Sequence, residues 1–484
     1  MFYEFLFISS LKILFLPAYF STDFFVHRNW LAITSSRNTS QWYYDNTSEW
    51  TLDYPPFFAY FEYILTFPAK LFDEQMLKVE NIDYASFNTV LFQRLSVIFT
   101  DIIYFLGVWQ CTKNVKGNRR IYHYVLLLGN IGLIYVDHIH FQYNGILFGI
   151  LLLSCGKMIQ KKYLQSAFYY ALLLNMKHIF IYIAPVYVLY LLRHYCFSSK
   201  KAFIINSLKL GSIVLTVTAI SFGPFIDHFP QLLTRLFPFK RGLTHAYWAP
   251  NFWAIYNMLD KVLSIILNVK HSNSSTGGLV QEQIHSVLPQ ITPKMTFLIT
   301  AISMIPCCIK ILINREASVV NFLKPLIICA ACSFMFGWHV HEKAILMILI
   351  PMQILTSNCD SEENSSFFLA VFGLYSLTPL LYSKELAILK LSLFVIYIMI
   401  NYCIFKQNNS YKPPVIEKIY NFGIFMLPFY EFILQYLLKI DKILPFMPLM
   451  LTSVYCGLGM IYFWLKYYIK YMLNRKIENP KKIK

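Results

Sequence analysis

Leu386–Phe405 reads LAILKLSLFVIYIMINYCIF, twenty residues broken by a single charge, Lys390. At 1.5 Å per residue a helix of that length is about 30 Å long, the thickness of a bilayer's hydrocarbon core. Comparable runs are Ile204–Ile226, Phe297–Ile313 and Phe446–Leu465. The ten-residue alternating segments of a membrane barrel are absent. The sequence therefore predicts an all-α polytopic membrane protein. Working outward from these runs, the pattern places about fourteen spans, near 2–20, 87–111, 121–137, 143–157, 163–176, 178–194, 203–226, 293–313, 322–337, 344–357, 366–382, 386–405, 417–438 and 446–468. No internal repeat is evident, so residues 1–484 read as a single integral membrane domain.

Composition agrees. Hydrophobic residues make up 57% of the chain and charged residues 14%, against about 25% charged in a soluble domain. A net charge of +17 raises nucleic acid as a partner, but the cations form no single stripe. They lie in short segments between apolar runs: Lys113, Lys116, Arg119 and Arg120; Lys157, Lys161 and Lys162; Arg193, Lys200 and Lys201. That is the positive-inside pattern of cytosolic loops. Nucleic acid is excluded on this basis, and membrane lipid is the expected surrounding.

The ten cysteines lie in or beside apolar runs and show no zinc spacing, so they read as buried thiols. Met1–Phe20 lacks a leading basic cluster and reads as a first span rather than a cleaved signal. The chain ends Lys481-Lys482-Ile483-Lys484, with lysines at the spacing of a dilysine retrieval signal of the endoplasmic reticulum. An even number of spans then puts both termini, including the tail 469–484, in the cytosol. The same topology sends two long polar segments, 21–86 and 227–293, to the lumen. Long loops are commonly functional. The first is crowded with aromatics, among them Trp30, Trp42, Trp50, Tyr54 and Phe57, suited to a membrane interface or to sugar stacking. His271–Gly278 reads as a flexible linker.

Chemistry is sought in polar groups on these luminal segments. Asp23 opens the first loop, and Asp53 stands just before Pro55-Pro56, which stops a helix and fixes the chain's direction. Asp53 is either a cap for the following helix or a site acid. Asp137, His138 and His140 close one span, with Gln142, Tyr143 and Asn144 after them. Lys177 and His178 interrupt an apolar hairpin. His339, His341, Glu342 and Lys343 separate two spans, and Arg235, Lys240, Arg241, His245, Trp248 and Asn251 fill the second loop. Ionisable groups at membrane depth are functional by default. A zinc site needs three or four ligands, and histidines at i and i+2 do not share a helix face. The His339–His341 pair with Lys343 thus reads as an anion site, and no metal is expected. No Walker, GxGxxG or GxSxG motif is present. A sugar carried on a lipid phosphate already has its leaving group, so one general base and a set of cations suffice for transfer.

Five stretches resemble the dolichyl-phosphate-glucose-dependent α-1,3-glucosyltransferases: Ser21–Trp30 (STDFFVHRNW), Ser48–Tyr63 (SEWTLDYPPFFAYFEY), Val136–Gly149 (VDHIHFQYNGILFG), Arg235–Asn257 (RLFPFKRGLTHAYWAPNFWAIYN) and Phe336–Leu346 (FGWHVHEKAIL). The similarity runs over nearly the whole chain in the same order. Within the family, Val26–Trp30 and Trp248-Ala249-Pro250 resemble the enzyme adding the second glucose rather than the first. The resemblance implies a C-type glycosyltransferase (GT-C) fold with large luminal loops in the endoplasmic reticulum membrane. It implies a dolichyl phosphate glucose donor, a dolichyl-diphosphate oligosaccharide acceptor carrying one glucose on nine mannoses, and a metal-independent, cofactor-free inverting reaction. It further implies Asp23 as base and Asp53 as second acid. His341 and Lys343 fall on the donor-phosphate motif, with His339, His138, Lys177 and Arg241 as further donor-side groups. Arg28, Trp30, Trp50, Tyr54 and Trp248 are expected on the sugar side. Phe25 stands where the second-glucose motif carries glutamate, so that acid is not expected to be catalytic while Asp23 remains.

Overall fold

The computed structural model describes residues 2–115, 117–197, 199–237, 242–245, 247–269, 285–407 and 411–473. Lys116, Lys240, Arg241, the linker His271–Gly278 and the terminal lysines Lys481, Lys482 and Lys484 lie outside the described residues. The described residues are helical, with no strand beyond one isolated bridge, Thr244 to Val340. The chain divides into two compact units, Met1–Pro238 with Arg315–Val319, and Phe239–Asn314 with Val320–Lys484.

The first unit contains α1 (Phe2–Ile13), α2 (Thr22–Ser36), α3 (Pro56–Phe72), α4 (Phe87–Thr112), α5 (Gly117–Leu128), α6 (Ile131–Leu133), α7 (Asn144–Ile159), α8 (Tyr163–Met176), α9 (Ala184–Leu191), α10 (Lys200–Phe222) and α11 (Phe229–Leu236). The starts follow capping rules: Ser21, Ser86 and Ser199 cap α2, α4 and α10 through their hydroxyls. Pro56 opens α3, where its missing N–H costs nothing. The spine of this unit is the parallel pair α4 and α7. A methyl group added at Gly149 would lie 2.5 Å from the Tyr104 nitrogen, and one at Gly107 would lie 2.6 Å from the Gly149 carbonyl oxygen. The two backbones therefore touch, which only glycine permits. Gly145 and Gly149 form a G-x-x-x-G step on α7, the close-packing device of membrane helices. Helix α8 runs back along α7, tied by Ser154 and Ser166.

The second unit contains α12 (Phe252–Ile266), α13 (Pro293–Ile313), α14 (Val319–Phe336), α15 (Leu346–Asn358), α16 (Glu363–Tyr375), α17 (Ala387–Lys406), α18 (Val415–Gly423), α19 (Met426–Phe429), α20 (Gln435–Leu437) and α21 (Met447–Leu473). α14 is buried almost throughout, whereas α10 of the first unit leaves nearly its whole length exposed. Buried acids are paired: Glu362 meets Lys324 at 2.8 Å and Lys470 at 3.0 Å.

Among the described residues, seven helical stretches are long and apolar enough to cross a membrane: Phe87–Thr112, His178–Cys196, Lys200–Leu236, Pro293–Ile313, Val319–Phe336, Lys384–Lys406 and Met447–Leu473. Each falls on one of the expected spans. The remaining expected spans hold shorter or broken helices, such as the buried 13-residue α15 and α16. None of the ten cysteines lies in a disulfide, and seven of them are buried. The sequence reading missed that the first loop is itself helical, with α2 and α3 packed together through His27 and Glu62 at 2.7 Å. Burial pushes the Glu62 carboxyl up, opposed by His27.

Candidate active site

Within the first unit, Asp23 lies in the first turn of α2, where free backbone N–H groups and the helix dipole favour a carboxylate. Its N-cap Ser21 donates a 2.7 Å bond to the His140 carbonyl, and the Ser21 N–H reaches the same oxygen at 3.0 Å. Asp23 Oδ2 accepts a 2.6 Å bond from Gln142 Nε2 and lies 3.1 Å from His140 Nε2. Phe141 sits between these two partners with φ +85°, a left-handed conformation that is uncommon and costly for a non-glycine residue. It is fully buried against Phe24 and His27, so aromatic packing holds the strained backbone that aims both partners at Asp23. A quarter of the Asp23 side chain stays exposed, which leaves it reachable.

The network continues. Gln142 Oε1 accepts a 2.7 Å bond from Asn144 Nδ2, and Lys177 Nζ donates a 3.2 Å bond to Asn144 Oδ1. Lys177 also stands 4.7 Å above the Tyr54 ring, a cation–π contact. Asp137 accepts from the Gly145 N–H at 2.6 Å and from Asn144 at 2.9 Å, which fixes the start of α7. Asp23, Lys177 and Tyr54, expected separately, thus belong to one polar chain. Gln142 and Asn144 link them, though the sequence reading noted both only as neighbours of the His138–His140 pair.

Other expected residues are placed elsewhere. His138 is buried, 2.9 Å from Asp101, which also binds Lys12 at 2.5 Å. His140, the residue that follows the π-helical turn Ile134–Ile139, takes the place beside Asp23. Arg28 is fully buried and donates to the carbonyls of Lys78 at 2.8 Å and Ile82 at 3.1 Å. Burial draws its guanidinium down to about 10, with Asp83 opposing. It pins the segment after α3. Trp30 is buried as well, in T-shaped contact with Tyr54 and Phe58. Trp50 remains 39% exposed. Asp53 is half-buried, and the cap of α3 is Pro55 with no side-chain bond, so the capping role for Asp53 falls away. Phe25 packs edge-on against Phe24 and Phe20.

The second unit carries a histidine cluster. His339 adopts φ +50°; its N–H bonds the Leu243 carbonyl at 2.9 Å, and its Nδ1 lies 2.8 Å from the Gly242 carbonyl. This pairing of 242–245 with 339–341 brings the His245 ring to 4.6 Å from that of His341. His245, His341 and buried Glu342 offer ligand atoms that all lie within 4.8 Å of one another, a set able to hold a metal ion or, with the imidazoles protonated, an anion. His245 is the member that sequence spacing did not couple to His341. Lys343 follows in the same 3₁₀ turn, half-buried. Trp248 is buried and carries Lys261 Nζ 4.9 Å above its ring, so it serves as a cation-bearing wall and not as an open stacking face. Asn251 caps α12, and Asp260 accepts from the N–H groups of Ser286, Val287 and Leu288. These bonds fix the start of α12 and its link to the segment 286–288.

A helical membrane chain that presents an oriented, reachable carboxylate and a separate lysine–histidine cluster belongs to the class of integral membrane group-transfer enzymes. Comparison with known proteins gives the class its particular form. The profile of the ALG6, ALG8 glycosyltransferase family matches residues 8–467, and the chain belongs to that family. It is a glycosyltransferase. It is 51% identical over 475 residues to a probable dolichyl pyrophosphate Glc1Man9GlcNAc2 alpha-1,3-glucosyltransferase of Drosophila melanogaster, covering 95% of this chain and 92% of that protein. The dolichyl pyrophosphate Glc1Man9GlcNAc2 alpha-1,3-glucosyltransferases of Bos taurus and Saccharomyces cerevisiae are 44% and 38% identical, covering 98% and 94% of this chain and 96% and 88% of their own lengths.

Proposed function

We propose that this chain transfers glucose from dolichyl phosphate glucose to the dolichyl-diphosphate oligosaccharide that already carries one glucose on nine mannoses. The bond formed is α-1,3 and the anomeric centre is inverted. The relatives' names specify the Glc1Man9GlcNAc2 acceptor, and identity to them extends over nearly the full chain. The observation that carries the mechanism is the placement of Asp23: oriented by Gln142 and His140, stabilised by a helix start, and still open to a substrate.

In this reading Asp23 takes the proton of the acceptor hydroxyl as its oxygen attacks the anomeric carbon. The bond from that carbon to the donor phosphate breaks, its electron pair leaves on the phosphate oxygen, and dolichyl phosphate departs. His341 and Lys343 hold the phosphate as its charge grows, with His245 beside them. Lys177 is a further donor-side cation, half-buried Tyr54 and exposed Trp50 line the sugar side, and Asp53 is the second acid. The chain itself supplies every group this scheme uses, with no metal among them. About fourteen spans, an endoplasmic reticulum membrane, a luminal site and cytosolic termini complete the proposal.

The test uses membranes containing the chain as their sole enzyme of this kind, fed dolichyl phosphate glucose. Glucose should pass to the monoglucosylated acceptor, and Asp23→Asn should cut transfer by about 10²–10⁴. Equal transfer to the unglucosylated acceptor would favour the first-glucose activity instead. Movement of a sugar or lipid across the membrane without a new glycosidic bond would favour a transporter.

A further inference from the structure

A cavity of about 600 Å³ lies in the first unit far from Asp23. Helix α7 starts beside the Asp23 network at Asn144 and ends at Ile159; its 16 residues carry the chain about 24 Å along the helix axis. At that far end three connections meet: the α7–α8 turn, the π-helical turn Leu192–Cys196 and the segment Arg315–Val319. They bring Lys161, Arg193, Arg315, His194, Glu316 and Phe197 around the cavity. Lys161 occupies a left-handed backbone conformation, φ +59°, in the turn that places it there.

Three cationic side chains face one carboxylate in this lining. Crowded cations beside low-dielectric protein repel one another, and an anion among them relieves that repulsion. The size exceeds that of a bare phosphate and suits a headgroup. One wall is apolar: Phe197 is 53% exposed and stacks on Phe203, ring centroids 5.1 Å apart and planes 8° off parallel. Beyond it Ile204, Ile205 and Leu208 of α10 are exposed. A basic pocket opening onto an apolar helix face is a recurrent form of phospholipid recognition at the cytosolic leaflet, and the basic-loop pattern assigns this end to the cytosol.

We propose that this cavity binds a phosphate-bearing anion, with the headgroup of an anionic glycerophospholipid as its source, the acyl chains lying along Phe197, Phe203 and α10. The site is separate from the glycosyl-transfer residues and independent of their assignment.

Native mass spectrometry of the full chain released from micelles tests this. With phosphatidylinositol and phosphatidylcholine supplied equally, one phosphatidylinositol per chain should be retained in about tenfold preference. The Arg193→Gln, Arg315→Gln variant should lose the preference, and the Arg193→Lys, Arg315→Lys variant should keep most of it. In a second arm, inorganic phosphate alone should not raise the melting temperature. A rise in the wild type that the glutamine variant lacks would keep the anion site but assign it to a soluble source. Equal retention of both lipids by the wild type with no effect of phosphate would overturn the proposal, even if the glutamine variant failed to fold. Unchanged preference in a folded glutamine variant would overturn it as well.

Discussion

Gln142 Nε2 donates a 2.6 Å hydrogen bond to Asp23 Oδ2 across 119 residues of sequence. Gln142 points there because Phe141 holds a left-handed backbone, and Phe141 tolerates that conformation because it is locked among aromatic rings. Gln142 is a positioning residue in this arrangement. A hydrogen bond to a charged group contributes about 1.5–3 kcal/mol, so Gln142→Leu should lower kcat about 10- to 100-fold with KM for the acceptor nearly unchanged. Asp23→Asn should lose about 10²–10⁴ in kcat. Full turnover in Gln142→Leu would remove its positioning role, and a rise in KM alone would move Gln142 to acceptor binding.

The His245–His341–Glu342 cluster has the donor set of a three-ligand metal site, so its use as an anion holder is open to a direct check. Extensive treatment with EDTA followed by desalting should leave glucosyl transfer unchanged, and added Mn²⁺ or Zn²⁺ should not raise it. His341→Ala should raise KM for the lipid-phosphate donor about tenfold or more, because a charge-assisted contact is lost. Loss of activity on chelation with recovery on metal addition would replace the anion reading with a metal-dependent one.

Helix contact predicts a different phenotype at Gly149. A methyl group there would lie 2.5 Å from the Tyr104 nitrogen and 2.6 Å from the Ile103 carbonyl carbon, both backbone atoms that cannot rotate away. Gly149→Ala should cost about 1–3 kcal/mol through forced separation of α4 and α7. At Gly211 in α10 an added methyl meets nothing, so Gly211→Ala should be neutral or stabilising by up to about 1 kcal/mol. The fraction remaining monodisperse on size exclusion after graded heating distinguishes the two. Equal behaviour would mean that the α4–α7 contact does not limit stability.

The membrane class was legible because runs such as Leu386–Phe405 need no partner to be read. Buried helices were harder. α15 and α16 are as apolar as a span but only 13 residues each and buried, and hydropathy alone does not separate a short buried span from a core helix. α2 was missed for the opposite reason. His27, Arg28 and Asn29 make it look like a solvated loop, and its burial depends on distant partners: Glu62 for His27, and the carbonyls of Lys78 and Ile82 for Arg28. In the candidate site, Asp23 and Lys177 were legible as charges next to spans. Their connection was not, since it runs through neutral Gln142 and Asn144. His245 could be coupled to His341 only through the bridge between Thr244 and Val340. The G-x-x-x-G step at Gly145 and Gly149 was written in the sequence, and its meaning came from the backbone of α4 beside it.

Asp73, just after α3, gives a pH signature outside the membrane. Burial pushes its carboxyl up, but bonds from Ser86, Tyr84, the Gln75 N–H and Thr89 outweigh this and hold it below the ordinary range. A carboxyl lowered on folding contributes stability that is complete above its unfolded value, about 3.9, and is lost as the pH falls through the folded value. Asp73→Asn should therefore melt below the wild type at pH 7 and at pH 5 by the same margin. The margin should shrink only as the pH drops below about 4. The mechanism is local, because these partners tie the loop after α3 to the start of α4, where Ser86 also caps the helix through the Thr89 N–H. Melting curves of the purified protein across this range decide the matter: a margin that widened on acidification, or that was absent at pH 7, would contradict the assignment of Asp73 as the charged anchor of this loop.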